Sequence, residues 1–233
     1  MTLDRYTYAA RLLGALAFIG LLAGLYTALV YAPPEATMGD VQRIFYFHLG
    51  SAVTAFLAFT VVFVASIAYL ARRERFWDNL AAASAEIGIV FCSLVMLTGP
   101  LWAKPVWGTW WTWDPRLTTT LVLWLIYVAY LMLRGAMEEP GRRALVSAVF
   151  GIVGFVDVPI VFMSIRWWRT IHPVIVEGGA LNLTPPMVLT LAVALVAFVL
   201  LYAYLLVERL RLQRSEDELE RLKAELYAER GLT

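Results

Sequence analysis

The chain has 233 residues, of which 61% are hydrophobic and 16% are charged, and its formal net charge is +1. The apolar share is far above that of a soluble globular domain, and so small a net charge gives no indication of nucleic-acid binding. The single cysteine, Cys92, excludes an intramolecular disulfide, a Cys-x-x-Cys redox pair and covalent attachment of a c-type heme to this chain.

Six apolar runs follow one another along the chain, each near or above the length of about 20 residues that a helix needs to cross a bilayer. We place them at 12–32, 44–71, 81–103, 117–134, 144–165 and 186–207. The first run is longer than a typical signal-peptide core, so we interpret it as a retained span. The prediction is an all-α polytopic membrane protein with six transmembrane helices in a domain over 1–207.

Basic residues predict the orientation of these spans. Fourteen of the 19 Lys and Arg residues, including Arg72, Arg73 and Arg142, lie at one set of span ends. Because Lys and Arg accumulate on the cytoplasmic side, we expect both termini to be cytoplasmic. Seven of the nine Trp residues lie at the opposite, outer ends, a more one-sided distribution than an ordinary aromatic belt gives.

The polar segment 208–233 predicts a short cytoplasmic amphipathic helix. Ser215 and Glu218 have the spacing of a capping box. A row of leucines follows one face of this helix: Leu212, Leu219, Leu222 and Leu226. Two interpretations remain open for the segment, a solvated helix and a docking helix for a partner protein.

The two histidines of the chain, His48 and His172, are both predicted at outer ends of spans. His48 lies about 35 Å from Arg72 at 1.5 Å per helical residue. His172 precedes Pro173, which disfavours helix at His172, so we expect the fifth helix to end there. Two imidazoles at similar depth can ligate one metal from opposite faces, as in a bis-imidazole heme, whereas zinc requires a third protein ligand. An ordinary hydrogen-bonded role for each histidine is the alternative.

A tryptophan-rich run between the third and fourth spans reads Trp107-Gly108-Thr109-Trp110-Trp111-Thr112-Trp113-Asp114-Pro115-Arg116. This density of indoles favours a flat platform for a large planar apolar ligand, since Trp combines an apolar body with one polar N–H. Asp114 can orient an N–H group or an arginine beside the platform. Trp167 and Trp168 are further aromatic candidates, with an interfacial belt as the alternative.

Three arginines on the outer side are candidates to bind ligand carboxylates: Arg116, Arg166 and Arg169. A guanidinium matches a carboxylate in fork geometry. Contacts to lipid headgroups are the alternative for each of them.

Together these motifs resemble the heme exporter protein C family of bacterial cytochrome c maturation. The most specific stretch runs from Trp102 through the tryptophan-rich run to Thr118, and the segments ending at His48 and His172 are similar to the family's two histidine segments. The resemblance implies a protein of the bacterial cytoplasmic (inner) membrane that binds heme b on its external, periplasmic side. It also implies His48 and His172 as axial ligands of the heme iron, with 107–114 as the platform.

The resemblance implies a function and a set of partners. The protein would present heme to a membrane-anchored heme chaperone, alongside the permease and ATPase subunits of an ABC transporter, a small single-span companion subunit and membrane lipid. The chain has no Gly-x-x-x-x-Gly-Lys-Ser/Thr motif, so we expect no ATPase of its own and no enzymatic activity beyond promoting covalent attachment of heme to the chaperone.

Two other functions remain open at this point. One is a cytochrome b-type electron carrier, whose paired histidines usually lie inside the helix bundle. The other is a heme lyase or synthase component that shares the tryptophan-rich motif. A plain scaffold is a further alternative, but it leaves the tryptophan cluster unexplained.

Overall fold

The computed structural model describes residues 3–172, 176–177, 180–181 and 183–229. Within these residues, six helical segments are long and apolar enough to cross a membrane. They are Arg5–Tyr31, Asp40–Arg72, Arg75–Trp107, Pro115–Gly135, Pro140–Trp167 and Pro185–Tyr227. The predicted all-α, six-span architecture is therefore confirmed, while the orientation in the membrane stays a prediction.

The first two spans are joined by a compact turn. Helix α1 (Leu3–Tyr26) continues as a π-helical turn over Thr27–Tyr31, and a 3-10 turn over Asp40–Gln42 leads into α2 (Arg43–Arg72). The Nη1 atom of Arg43 donates to the carbonyl oxygen of Ala28 at 2.6 Å. This bond satisfies a carbonyl near the end of the first span, where the helix leaves acceptors unpaired.

Helix α3 (Arg75–Trp107) passes through Pro100 and Pro105 and ends four residues beyond the predicted boundary at 103. It packs closely against α2. A Cβ atom placed on Gly88 would lie 2.7 Å from Cε1 of Phe59, so this approach of the two helices requires a residue without a side chain.

The fourth span is the single helix α4 (Pro115–Gly135), whereas the fifth is broken into α5 (Pro140–Phe155) and α6 (Asp157–Trp167). The break falls at Val156. Pro159 lacks an N–H group and cannot donate to the carbonyl four residues earlier, which weakens the helix there.

A two-residue antiparallel pair, Val176–Glu177 with Ala180–Leu181, precedes the last helix. Pro173 and residues 230–233 lie outside the described residues.

The last span and the tail form one continuous helix, α7 (Pro185–Glu229). The capping-box interpretation is wrong, because the Ser215 hydroxyl donates to the carbonyl of Arg211 within the helix and starts no new one. No Gly or Pro interrupts the segment after its first turn, so nothing in the backbone ends the helix near 207. Arg75, in the first turn of α3, forms an exposed ion pair with Asp217 of the tail.

The core lies between α2, α3, α4 and α7 and is rich in aromatic side chains. The rings of Phe59 and Tyr127 stack with centroids 3.7 Å apart. At the end of the bundle where α3 begins, Arg134 of α4 pairs in fork geometry with Asp78 of α3, at 2.5 and 3.0 Å. These packed helices form a rigid frame, and the chemistry-bearing residues are carried at its opposite end.

Glu86, an intramembrane carboxylate of α3, also has an ionic partner. Arg209 of α7 donates to its two oxygens at 2.6 and 3.1 Å. The pair joins the third span to the last one. An unpaired charge within a membrane span is costly, and the pairing lowers that cost for the partly buried Glu86.

Candidate functional site

A crevice lies at one end of the bundle, between the first turns of α2, the last turns of α3 and the start of α4. Both histidines, His48 and His172, line it together with three indoles, Trp102, Trp107 and Trp111. The fold thus brings residues from distant parts of the sequence to one place. The cavity volume of the crevice is about 70 Å³.

His48 lies in the second turn of α2 and is only partly exposed. Its Nδ1 atom is 2.9 Å from Oγ1 of Thr98, on the neighbouring helix α3. A Cβ atom on Gly99 would lie 3.5 Å from Cε1 of the imidazole, so α3 also provides the surface against which the ring packs.

His172 lies beyond the end of α6, in a bend that follows Trp167. The helix ends earlier than the sequence predicts, and Trp168 directly after it is in an extended conformation. The backbone N–H of His172 donates to Oγ1 of Thr170 at 3.0 Å. Its ring faces that of Trp107 edge to face, with centroids 6.3 Å apart.

Asp114 connects the tryptophan-rich loop to the segment that carries His172. Its Oδ1 accepts from the backbone N–H of Arg116 at 2.9 Å, which caps the N-terminus of α4. The same carboxylate accepts from the Thr170 hydroxyl at 2.8 Å and from the Ile171 N–H at 3.0 Å. The structure therefore gives Asp114 the orienting role that the sequence suggested, with its partners now identified.

Gly108 determines where the tryptophan-rich loop leaves α3. It has a φ of +75° and its N–H donates to the carbonyl of Lys104 at 3.0 Å. Glycine is the residue that adopts this left-handed conformation at a helix end without strain. Beyond it, Thr109 donates to the carbonyl of Trp111 at 3.0 Å and holds the loop in a turn.

The indoles predicted as one platform separate into two groups. Trp107 and Trp111 line the crevice, and Trp107 packs edge to face on Trp102 at 5.0 Å. Trp110 and Trp113 are 55% and 76% exposed and do not line it. The platform in the structure is therefore narrower than the sequence suggested and includes Trp102.

The predicted arginines also differ in position. Arg116 lines the crevice, and its Nη1 donates to the carbonyl oxygen of Val161 in α6 at 2.6 Å. Four residues of the α6 end, Arg166, Trp167, Trp168 and Arg169, are exposed and do not line the crevice. Of the predicted arginines, Arg116 alone combines a position in the crevice with a contact that fixes its side chain.

Sequence reasoning missed wall residues on α2, α3 and α4, and those of α3 include four on one face of the helix. These four are Cys92, Met96, Gly99 and Ala103, which lead up to Trp107. Their spacing of three or four residues is that of one helix face. Counting back from Trp107 in steps of one turn would have found them.

The donor set fits a planar metal complex better than a bare metal ion. Among the described residues, no group of three or more His, Cys, Asp or Glu side chains is arranged to hold a metal ion. A crevice with two imidazoles, aromatic walls and a guanidinium instead offers axial nitrogen ligands, apolar surface and a cation. The fold and site together define a polytopic membrane protein with a crevice in which two imidazoles, three indoles and a guanidinium lie together.

Comparison with known proteins gives the family. The family model for heme exporter protein C matches residues 3–225, and the chain belongs to this family. Heme exporter protein C of Bradyrhizobium diazoefficiens is 34% identical over 221 residues, which cover 93% of this chain and 84% of the relative. Heme exporter protein C of Escherichia coli K12 is 33% identical over 184 residues, covering 78% and 74%.

A plant relative extends the similarity. The putative cytochrome c biosynthesis ccmC-like mitochondrial protein of Marchantia polymorpha is 32% identical over 167 residues. These cover 72% of this chain and 70% of the relative.

Proposed function

We propose that the protein binds heme b in the crevice and presents it, on the external side of the bacterial cytoplasmic membrane, to a membrane-anchored heme chaperone for cytochrome c biogenesis. Membership of the heme exporter protein C family supports a role in heme handling. The observation that carries the proposal is that both histidines of the chain line one crevice with three indoles.

In this proposal His48 and His172 are the axial ligands of the heme iron. His48 is held by α2 and α3, while His172 comes from a loop, so the two imidazoles approach from different elements. Trp107 and Trp111 supply apolar wall, since an indole presents a broad face with little conformational entropy to lose. Arg116 supplies positive charge near the heme carboxylates.

Heme binding requires the crevice to widen. Its volume of about 70 Å³ is below the roughly 300–1,000 Å³ of typical small-molecule sites. Three of its walls are long packed helices, whereas Trp111 and His172 stand on loops. We infer that these loops move outward when heme binds, and that the helices stay in place.

The proposed partners follow from the family and from the sequence. Presentation of heme needs an acceptor, which we take to be the heme chaperone. The permease and ATPase subunits of an ABC transporter would supply energy from ATP, because this chain has no phosphate-binding loop. A small single-span subunit completes the proposed complex, and both termini of this chain are proposed to be cytoplasmic.

The test is the reduced absorption spectrum of the purified protein, of His48→Ala and of His172→Ala, each with and without imidazole. Removing one axial ligand should change the spectrum, and added imidazole should restore it by filling the vacant position. Removing both histidines should abolish specific ligation, since the chain has no third one.

A packing role for the histidines gives the opposite pattern. Both single variants would then lose thermal stability but keep an unchanged six-coordinate spectrum. An electron carrier differs in another respect, because it retains its heme during turnover. Transfer of heme from the purified protein to the chaperone therefore separates that alternative from the proposal.

A further inference from the structure

The contact between His48 and Thr98 determines which nitrogen of the imidazole is available to the crevice. The two atoms, Nδ1 and Oγ1, are 2.9 Å apart. Among the described contacts of the His48 ring, this is the one hydrogen bond, and it joins α2 to α3. Neutral imidazole has one N–H and one lone pair, and the partner of one nitrogen sets the role of the other.

The proton of the Thr98 hydroxyl already has an acceptor. Its Oγ1 lies 2.7 Å from the carbonyl oxygen of Leu94, four residues earlier in the same helix. A carbonyl can only accept, and this contact is shorter than the one to His48, so the geometry favours donation of the hydroxyl proton to Leu94. With its single proton used there, Oγ1 faces His48 with a lone pair, and Nδ1 of His48 must be the donor.

We propose that Thr98 is a positioning residue that holds His48 as the Nδ1–H tautomer and thereby directs the lone pair of Nε2 to the iron. The inference rests on the proposed heme-ligand role of His48. A ligand imidazole commonly donates its second nitrogen to an acceptor that fixes its tautomer and orientation. A threonine hydroxyl polarised by a helix carbonyl serves as that acceptor here.

The heme-free protein allows a direct test, because the chain has only two histidines. With ¹⁵N-labelled histidine, the imidazole ¹⁵N shifts of each ring distinguish a protonated from an unprotonated nitrogen. The His172→Ala variant assigns the signals of His48. The measurement is made at a pH where the imidazole is neutral, in the wild type, Thr98→Ser and Thr98→Val.

We expect His48 to be protonated at Nδ1 in the wild type and in Thr98→Ser, which keeps the hydroxyl. Thr98→Val has nearly the same shape but offers no acceptor, so the Nδ1–H population should fall and Nε2–H should appear. Heme affinity should drop about 10- to 100-fold in Thr98→Val, the usual effect of losing such a partner, and should recover in Thr98→Ser.

Thr60→Val is the matched control. Thr60 donates to the carbonyl of Phe56 at 2.7 Å, the same bond within α2 but without a histidine beside it. This variant should leave both the tautomer and the heme affinity unchanged. It separates the loss of an intrahelical hydroxyl bond from the loss of the His48 partner.

Three results would overturn the inference. One is a wild-type His48 protonated at Nε2, and another is a tautomer that does not respond to Thr98→Val. The third is a tautomer that changes while heme affinity does not. His48→Ala then shows which claim has failed, because an unaltered heme spectrum in that variant refutes the ligand role itself.

Discussion

Asp114→Asn should loosen the loop that carries His172 without unfolding α4. An amide has one acceptor oxygen, whereas the carboxylate of Asp114 accepts three hydrogen bonds, from Arg116, Thr170 and Ile171. Asn is as good an N-cap as Asp, so an amide oxygen in the Oδ1 position keeps the helix cap. The NH₂ group then faces the Ile171 N–H, and that bond is lost.

The expected magnitude follows from the bond removed. Hydrogen bonds to charged groups contribute about 1.5–3 kcal/mol, and the Ile171 bond is exposed, so the lower end applies. A loss of about 1.4 kcal/mol is a factor of ten in an equilibrium. The population in which the His172 segment is detached from the tryptophan-rich loop should therefore rise about tenfold.

Hydrogen exchange of the heme-free protein measures this population directly. Peptides that cover 166–172 should lose about tenfold in protection in Asp114→Asn, while those of α4 should not change. Glu139→Gln is the control, because Glu139 caps α5 through the N–H groups of Gly141 and Arg142 far from the crevice. Equal exchange of 166–172 in all three proteins would refute the tethering role of Asp114.

Three further predictions concern the walls, the core and the topology. Trp111→Ala should weaken heme binding by about tenfold in a heme titration, since it removes one of the indoles that line the crevice, whereas exposed Trp110→Ala should change it by about a factor of two. Arg134→Ala should cost about 3–5 kcal/mol in thermal unfolding because it leaves Asp78 buried and unpaired, and replacing both residues by Leu should cost less. A cysteine placed at Glu139 in a cysteine-free variant should react only with reagents that cross the membrane. Labelling by a membrane-impermeant reagent from outside would contradict the predicted topology.

The spans could be predicted from composition alone, but their irregular ends could not. Apolar runs reveal where a helix must be buried in lipid, and all six were found. The break at Val156 had a local signal in Pro159. The continuity of α7 past Ser215 was missed because a capping-box spacing is only a local preference, and the intact backbone hydrogen bonds of a long helix outweigh it.

The candidate site could be predicted in part. The sequence pointed to His48, His172 and the tryptophan-rich run, and the fold brings them together. It could not separate Trp111 from the exposed Trp113, because a loop has no fixed period that assigns neighbouring side chains to faces. The role of Thr98 was not predicted. A threonine inside an apolar helix has no distinguishing sequence pattern, and its contact with His48 is visible only when the position of α2 beside α3 is known.

The unbroken α7 has a mechanical consequence. At 1.5 Å per residue its 45 residues extend about 67 Å, more than twice the roughly 30 Å of the hydrocarbon layer. The helix begins at Pro185, shortly after the loop of His172. In its far part, Asp217 forms an ion pair with Arg75 of α3. A force on the tail would therefore act directly on a helix that packs in the core through Phe198 and Tyr202.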